Sequence, residues 1–240
     1  MNKVVDSVSE AVAGVADGAT VMIGGFGGSG APIELIHALI DAGPTNLTVV
    51  NNNAGNGRVG LAAMIERGMV AKMVCSFPRS LDPETFTRRY LAGEIELELV
   101  PQGTLAERIR AGGAGIPAFY TPTGVGTDLA GGKPVETFEG RQYVRERWLR
   151  ADVALVKAEA ADALGNLRYR MAARNFNPLM ATAAALTIAQ VDRIVPVGAM
   201  DPEHVVTPGI FVDRVVEVPE AAQEETLNRA GAIYPLGSAA

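Results

Sequence analysis

Through the first half of the chain, short apolar runs alternate with amphipathic stretches. Residues 4–15 carry a surface-helix pattern. Residues 20–25 (TVMIGG) are apolar, β-branched and stopped by glycines, which predicts a buried strand. Residues 32–42 follow as a helix, with Pro32 in its first turn and Gly43-Pro44 closing it. Residues 47–51, 70–75 and 95–100 read as further strands. Residues 58–67, 83–92 and 104–111 read as helices, with Asp82 a candidate N-cap. Glu94, Glu96 and Glu98 alternate along the fourth strand, so it is expected at a half-exposed edge.

The character changes after Gly112. Segments 135–157 and 164–170 are strand-rich, with Leu164-Gly165-Asn166 as a hairpin turn. Residues 178–186 read as an alanine-rich helix, and 191–197 and 211–218 as strands. Strand–helix units joined by short connections predict an α/β fold. The expectation is an open, mostly parallel sheet with helices on both faces and a strand-rich second half. One domain over 1–218 is expected, without internal repeats. Residues 219–240 are polar, alanine-rich and aperiodic, which predicts a flexible tail.

Composition narrows the function. Hydrophobic residues make up 48% of the 240 but aromatics only 5%, so aliphatic side chains and alanine must fill the core. The net charge is −6 and no basic run occurs, which argues against a nucleic-acid binder. Cys75 is the single cysteine, so no disulfide can form within the chain. The N-terminus, with Asp6 and Glu10, does not read as a signal peptide, and no run of about 18 apolar residues predicts a membrane span. A soluble cytoplasmic protein is expected.

Four glycine-rich loops carry the candidate chemistry. Residues 24–32 (GGFGGSGAP) lie between a predicted strand and a helix, and Gly25, Gly27 and Gly30 satisfy G-x-G-x-x-G. A dinucleotide fingerprint also needs an acidic residue about 20 positions on, to hold a ribose hydroxyl. Asn51, Asn52 and Asn53 stand there instead. A Walker phosphate loop is excluded, since no Gly-Lys-Ser/Thr follows. A tight turn with no ligand is the plain alternative for this motif. The other loops are 51–57 (NNNAGNG), 101–104 (PQGT) and 121–127 (TPTGVGT). Several follow predicted strands, as the loops of an open α/β site do.

An evident nucleophile is missing. His37 falls within an amphipathic helix, His204 in a proline-rich loop, and no Cys/His cluster has metal spacing. Cys75 reads as a small core residue. Glu107 and Glu159 carry nothing that separates them from surface acids.

Segments 16–36, 101–127, 151–158, 165–178 and 206–216 together resemble family I CoA-transferases, specifically their A (alpha) subunits. The resemblance covers nearly all of 3–218. It implies an open α/β half that joins a B (beta) subunit, whose glutamate is the nucleophile. It implies acyl-CoA and carboxylic acid substrates, with CoA a substrate rather than a cofactor, and no metal. It also implies a heterotetramer or larger assembly. The chemistry would be ping-pong, through a glutamyl-CoA thioester on the partner. Gly24, Gly25, Phe26, Gly27, Gly28, Ser29, Gly30, Asn51, Asn52, Arg79, Gly124 and Gly126 are the candidate substrate and CoA residues. Gln102 is a candidate oxyanion donor, through its side chain or neighbouring N–H groups; a turn into a helix is the alternative.

The loop 76–80 (SFPRS) resembles the 3-oxoadipate branch more than the acetoacetate branch. Arg79 would pair with the second carboxylate of 3-oxoadipate, or else face solvent. Succinyl-CoA would then be the donor. Acetoacetate or a short fatty acid is the alternative acceptor. Readings of another class are a nicotinamide-dependent oxidoreductase and a non-catalytic CoA- or phosphate-binding module.

Overall fold

The computed structural model describes residues 2–79 and 82–236. Ser80 and the last four positions of the expected tail lie outside them. The strands are β1 (Thr20–Ile23), β2 (Leu47–Val50), β3 (Val70–Cys75), β4 (Glu96–Leu99), β5 (Ala118–Thr121), β6 (Val135–Phe138), β7 (Arg141–Arg147), β8 (Ala151–Asp162), β9 (Leu167–Arg168), β10 (Ala184–Val195) and β11 (Arg214–Glu217). Helices are α1 (Val8–Ala11), α2 (Ile33–Ala42), α3 (Gly60–Glu66), α4 (Glu84–Leu91), α5 (Gln102–Ala114), α6 (Asn177–Thr182) and α7 (Glu224–Arg229).

Among the described residues, eight strands form one sheet in the order β11-β10-β8-β1-β2-β3-β4, with β9 attached to β8. Neighbours along that path are parallel; only the β8–β9 hairpin is antiparallel. Strand residues alternate between two cores. Val21 and Ile23 pack with Leu35, Leu39 and Met64 of α2 and α3 on one face. Met22 packs with Leu105, Ile109 and Met180 of α5 and α6 on the other. Burying both faces is what makes these strands near-continuously apolar. A smaller antiparallel sheet, β5-β7-β6, stands apart.

β4 is an edge strand, as its glutamates predict. Lys72 pairs with Glu96 at 2.9 Å and Glu98 at 3.0 Å, and Arg108 reaches Glu98 at 2.7 Å. This charge makes the open edge a poor template for stray pairing.

Four sequence expectations need correction. Residues 4–15 form only the short α1, because Val4 bridges to Val215 at the sheet edge. The alanine-rich 184–186 is strand rather than helix. There β10 runs in register with β8 from Ala184↔Ala151 to Val195↔Asp162, and sheet pairing overrides alanine's helix preference. The last strand begins at Arg214, after a 3-10 turn at Gly209–Phe211. The described part of the expected tail, 219–236, carries α7, and its Leu227 and Tyr234 pack on the first core.

Candidate active site

Strand order reverses at β1: β2 lies on one side and β8 on the other. Open α/β folds place their sites outside the carboxyl ends of strands at such a point. The loop leaving β1 there folds into a two-residue hairpin. Phe26 N–H donates to Ser29 O and Ser29 N–H to Phe26 O, each at 3.0 Å. Gly27 and Gly28 form the corner, with φ of 56° and 85°. Two consecutive positive φ values are the requirement of a type I′ corner, and glycine meets it without a Cβ penalty. Among the described residues, neither Gly27 nor Gly28 N–H meets an acceptor. The G-x-G-x-x-G pattern therefore builds a hairpin whose two corner N–H groups have no acceptor among the described residues.

The flanking glycines have a different reason. A Cβ on Gly24 would lie 1.7 Å from Asn177 Oδ1, and one on Gly30 would lie 2.8 Å from Ala173 Cα. Asn177, with no exposed surface, is the brace behind the loop. Its Nδ2 donates to Gly30 O at 3.1 Å and to Ala173 O at 2.8 Å. Its Oδ1 accepts from Lys157 N–H at 3.0 Å. Asn175 Nδ2 donates to Ser29 O at 2.9 Å. Sequence reasoning placed this stretch in the family resemblance but gave these asparagines no role.

The asparagines after β2 latch the neighbouring loops together. Asn51 Nδ2 donates to Ile23 O at 2.7 Å, and its Oδ1 accepts from Asn53 N–H at 2.9 Å. Asn52 Oδ1 accepts from Ser76 Oγ at 2.8 Å, and Asn52 O accepts from Phe77 N–H at 3.0 Å. These amides spend their hydrogen bonds inside the protein, tying β1 to the loops after β2 and β3.

An open depression of about 540 Å³ lies over these strand ends. It brings together Phe26, Gly27, Asn52, Arg79 and Gln102 from four different loops. Asn53, Asn56, Ser76 and Phe77 join them. Phe26 and Phe77 are large apolar side chains left exposed at this surface. Gln102 is the first residue of α5, right after β4. Arg79 also borders an adjoining apolar depression of about 620 Å³, against Phe86, Tyr90 and Leu97. The remaining candidates are elsewhere. Gly24, Gly25, Gly30 and Asn51 are buried behind the hairpin, and Ser29 is half-buried at its base. Gly28 turns toward Glu224. Gly124 and Gly126 belong to the loop after β5, in the small sheet, and do not line the depression. That loop shares a glycine run after a strand with 24–30, but its strand belongs to a different sheet.

The two groups weighed as nucleophile or base are held inert. Cys75 is fully buried, and burial pushes its thiol up to about 12. His37 is lowered to about 4, chiefly by burial, so it is neutral; its Nε2 accepts from Gly60 N–H at 3.0 Å, serving the first amide of α3. Among the described residues, no group of three or more His, Cys, Asp or Glu could hold a metal ion, and no helix is long and apolar enough to cross a membrane.

The family model described as Coenzyme A transferase matches residues 5–218. The chain belongs to the coenzyme A transferase family. Within it, the chain is of the A-type half. It is 57% identical over 222 residues to the A subunit of the 3-oxoadipate CoA-transferase of Pseudomonas putida, covering 92% of this chain and 96% of that one. It is 52% identical over 224 residues to the A subunit of the succinyl-CoA:3-ketoacid coenzyme A transferase of Xanthomonas campestris pv. campestris strain B100, covering 92% of each. The fold matches the crystal structure of an Escherichia coli O157:H7 acyl-CoA transferase in a thioester complex with CoA, with a TM-score of 0.78 at 22% identity. That match covers 92% of this chain and 48% of the other, so this chain spans about half of that transferase.

Proposed function

We propose that this chain is the A half of a transferase that moves CoA from succinyl-CoA to 3-oxoadipate, working with a B subunit that supplies the nucleophile. The observation that carries the reading is the 57% identity, over nearly the whole of both chains, to the corresponding half of an enzyme named for that acid. Succinyl-CoA as donor is supported by the Xanthomonas relative, whose name includes it.

The chemistry is a carboxylate exchange. A partner glutamate attacks the succinyl-CoA carbonyl, the C–S bond breaks, and a mixed anhydride and CoA thiolate result. The thiolate attacks the glutamyl carbonyl and expels succinate, leaving a glutamyl-CoA thioester. The acceptor carboxylate then reverses both steps. CoA enters as substrate, and the reaction as proposed uses no metal or redox cofactor. Each tetrahedral oxyanion needs fixed donors, worth about 3–4 kcal/mol each where measured. The Gly27 N–H suits that task because Gly27 lines the depression and its N–H has no acceptor among the described residues. Gln102, across the depression, is the second candidate. The exposed Phe26 and Phe77 suit cover by the partner, in a heterotetramer or larger assembly. A cytoplasmic location belongs to the same reading.

3-Oxoadipate keeps one carboxylate after the other takes CoA. Arg79 would hold it, because this exposed residue borders both depressions and a carboxylate that becomes buried needs a cation. Acetoacetate, with no second carboxylate, is the competing acceptor, favoured by the 52% identity to the 3-ketoacid enzyme.

The test is CoA transfer by the purified chain, alone and with its B subunit, using both acids. No transfer alone, and faster transfer to 3-oxoadipate by the pair, is the expected result. Transfer by the isolated chain would overturn the split-site reading. Faster transfer to acetoacetate would overturn the acceptor. Arg79→Met should raise KM for 3-oxoadipate and spare acetoacetate.

A further inference from the structure

Residues 219–236 lie beyond the family match, which ends at 218, yet they cross both loops of the candidate site. Ala222 N–H donates to Glu34 on α2. Leu227 packs on the core. Asn228 Nδ2 donates to Asn56 O at 3.3 Å, and its side chain fills the space a Cβ on Gly57 would need. Tyr234 N–H donates to Arg58 O at 3.0 Å, while the ring stacks on His37 with centroids 4.1 Å apart. At the centre is Glu224, 6% exposed. A Cβ on Gly28 would sit 2.8 Å from its Oε2, and one on Gly60 would sit 3.7 Å from its Oε1. Its carboxylate accepts from the side chain and the backbone N–H of Asn56. Between it and Ile23, Gly25 and Asn51 the gap narrows to about 10 Å³, room for one water at most.

We infer that segment 219–236 is a strap that sets the shape of the glycine loop 24–30 and the asparagine loop 51–57, and that Glu224 is the positioning residue touching both. Its catalytic consequence rests on the proposed function, in which those loops form the transferase site. The strap itself does not rest on it.

The carboxyl gives the strap a pH dependence. The charged or titratable groups on the elements packed around it are Glu34, His37 and Asp41 on α2, Glu66 on α3, Arg58 and Arg67 beside α3, Glu225 and Arg229 on α7, and Glu220 and Tyr234 elsewhere on the segment. Among the described residues none forms an ion pair with Glu224; Arg229 pairs with Glu225. Burial therefore dominates and pushes the carboxyl from 4.5 up to about 7, partly offset by the Asn56 donors. A docked strap holds the proton more tightly than an undocked one. Docking is strongest below about pH 4.5, weakens as pH rises to about 7, and changes little above.

Hydrogen exchange on the assembled A–B pair, at pH 6 and pH 8, tests this, with rates corrected for intrinsic amide chemistry. In the wild type, amides of 24–30 and 51–57 should exchange several-fold faster at pH 8. Glu224→Gln should keep the protection and abolish the difference. Glu224→Ala should raise exchange at least tenfold at both pH values and lower kcat, with Glu224→Gln restoring it. Wild-type protection in Glu224→Ala, or a surviving pH difference in Glu224→Gln, would overturn the inference. Should Glu224→Ala fail to fold, the Gln variant decides alone. Loosened loops with unchanged kcat would support the strap and instead remove the loops from the transferase site. An inactive wild-type pair would sink the proposed function while the exchange data still read the strap.

Discussion

The loops 24–30 and 121–127 look alike as strings of letters and differ in almost everything physical. Each follows a strand and carries glycines at positive φ. The first is clamped between Asn177 and Ala173 on one side and Glu224 on the other, so a side chain at Gly24 or Gly30 has nowhere to go. The second has nothing within 4 Å of a Cβ at Gly126, and only Leu129 and Thr127 near Gly124. Gly24, Gly28 and Gly30 in the first loop answer to their neighbours, whereas Gly126 in the second, like Gly27 at the first loop's corner, answers only to its own backbone angle. A glycine pattern fixes one loop shape only when something buried braces it.

Four substitutions test this contrast. Gly30→Ala should do most harm. Left-handed strain and collision with the Ala173 backbone together cost about 3 kcal/mol, which lowers Tm by about 6–12 °C, and transfer should fall with it. An unchanged Tm by calorimetry would mean that the loop is not braced. Gly27→Val enters open space, so it carries only about 1–2 kcal/mol of left-handed strain. It would nevertheless alter the donor corner, where misplacement by about 1 Å costs about 100-fold in kcat. Unchanged kcat would return the hairpin to a plain turn. Gln102→Ala should lower kcat at least about tenfold without moving Tm, if the side chain donates; a wild-type kcat leaves only backbone donors. Gly126→Ala should cost about 1 kcal/mol and spare turnover. A loss as large as that of Gly27→Val would mean that the assembly brings loop 121–127 to the site.

Local punctuation explains what is legible in the sequence. Pro32, Gly43 and the glycines after Ile23 bracket β1 and α2 so firmly that strand, turn and helix follow from the residues, and 70–75 coincides with β3. Depression residues such as Phe26, Gln102 and Arg79 are legible because they follow strand ends. Partnership across long separations is not. Asn177 braces Gly30 from 147 residues away, and nothing beside it in the chain marks it. β5 lacks alternation, each of its residues being half-buried. Glu224 is hidden in an acidic, aperiodic stretch. Leu227, Ile233 and Tyr234 are the available signal, since a solvated tail has no use for them.

The register of the main sheet bears on how the protein is made. β1 pairs with β2, which leaves the ribosome soon after it, and with β8 through Val21↔Val153 to Ile23↔Leu155. At about 5–20 residues per second, the intervening 132 positions (153 − 21) take roughly 7–26 s to synthesise. Throughout that interval the buried, apolar β1 has one neighbour and one bare flank. The ribosome-bound intermediate thus carries its hazard at the future centre of the sheet, where β4-style charges cannot be placed. Protection there must come from speed or from a chaperone, and nascent chains arrested before β8 should be the ones that chaperones retain.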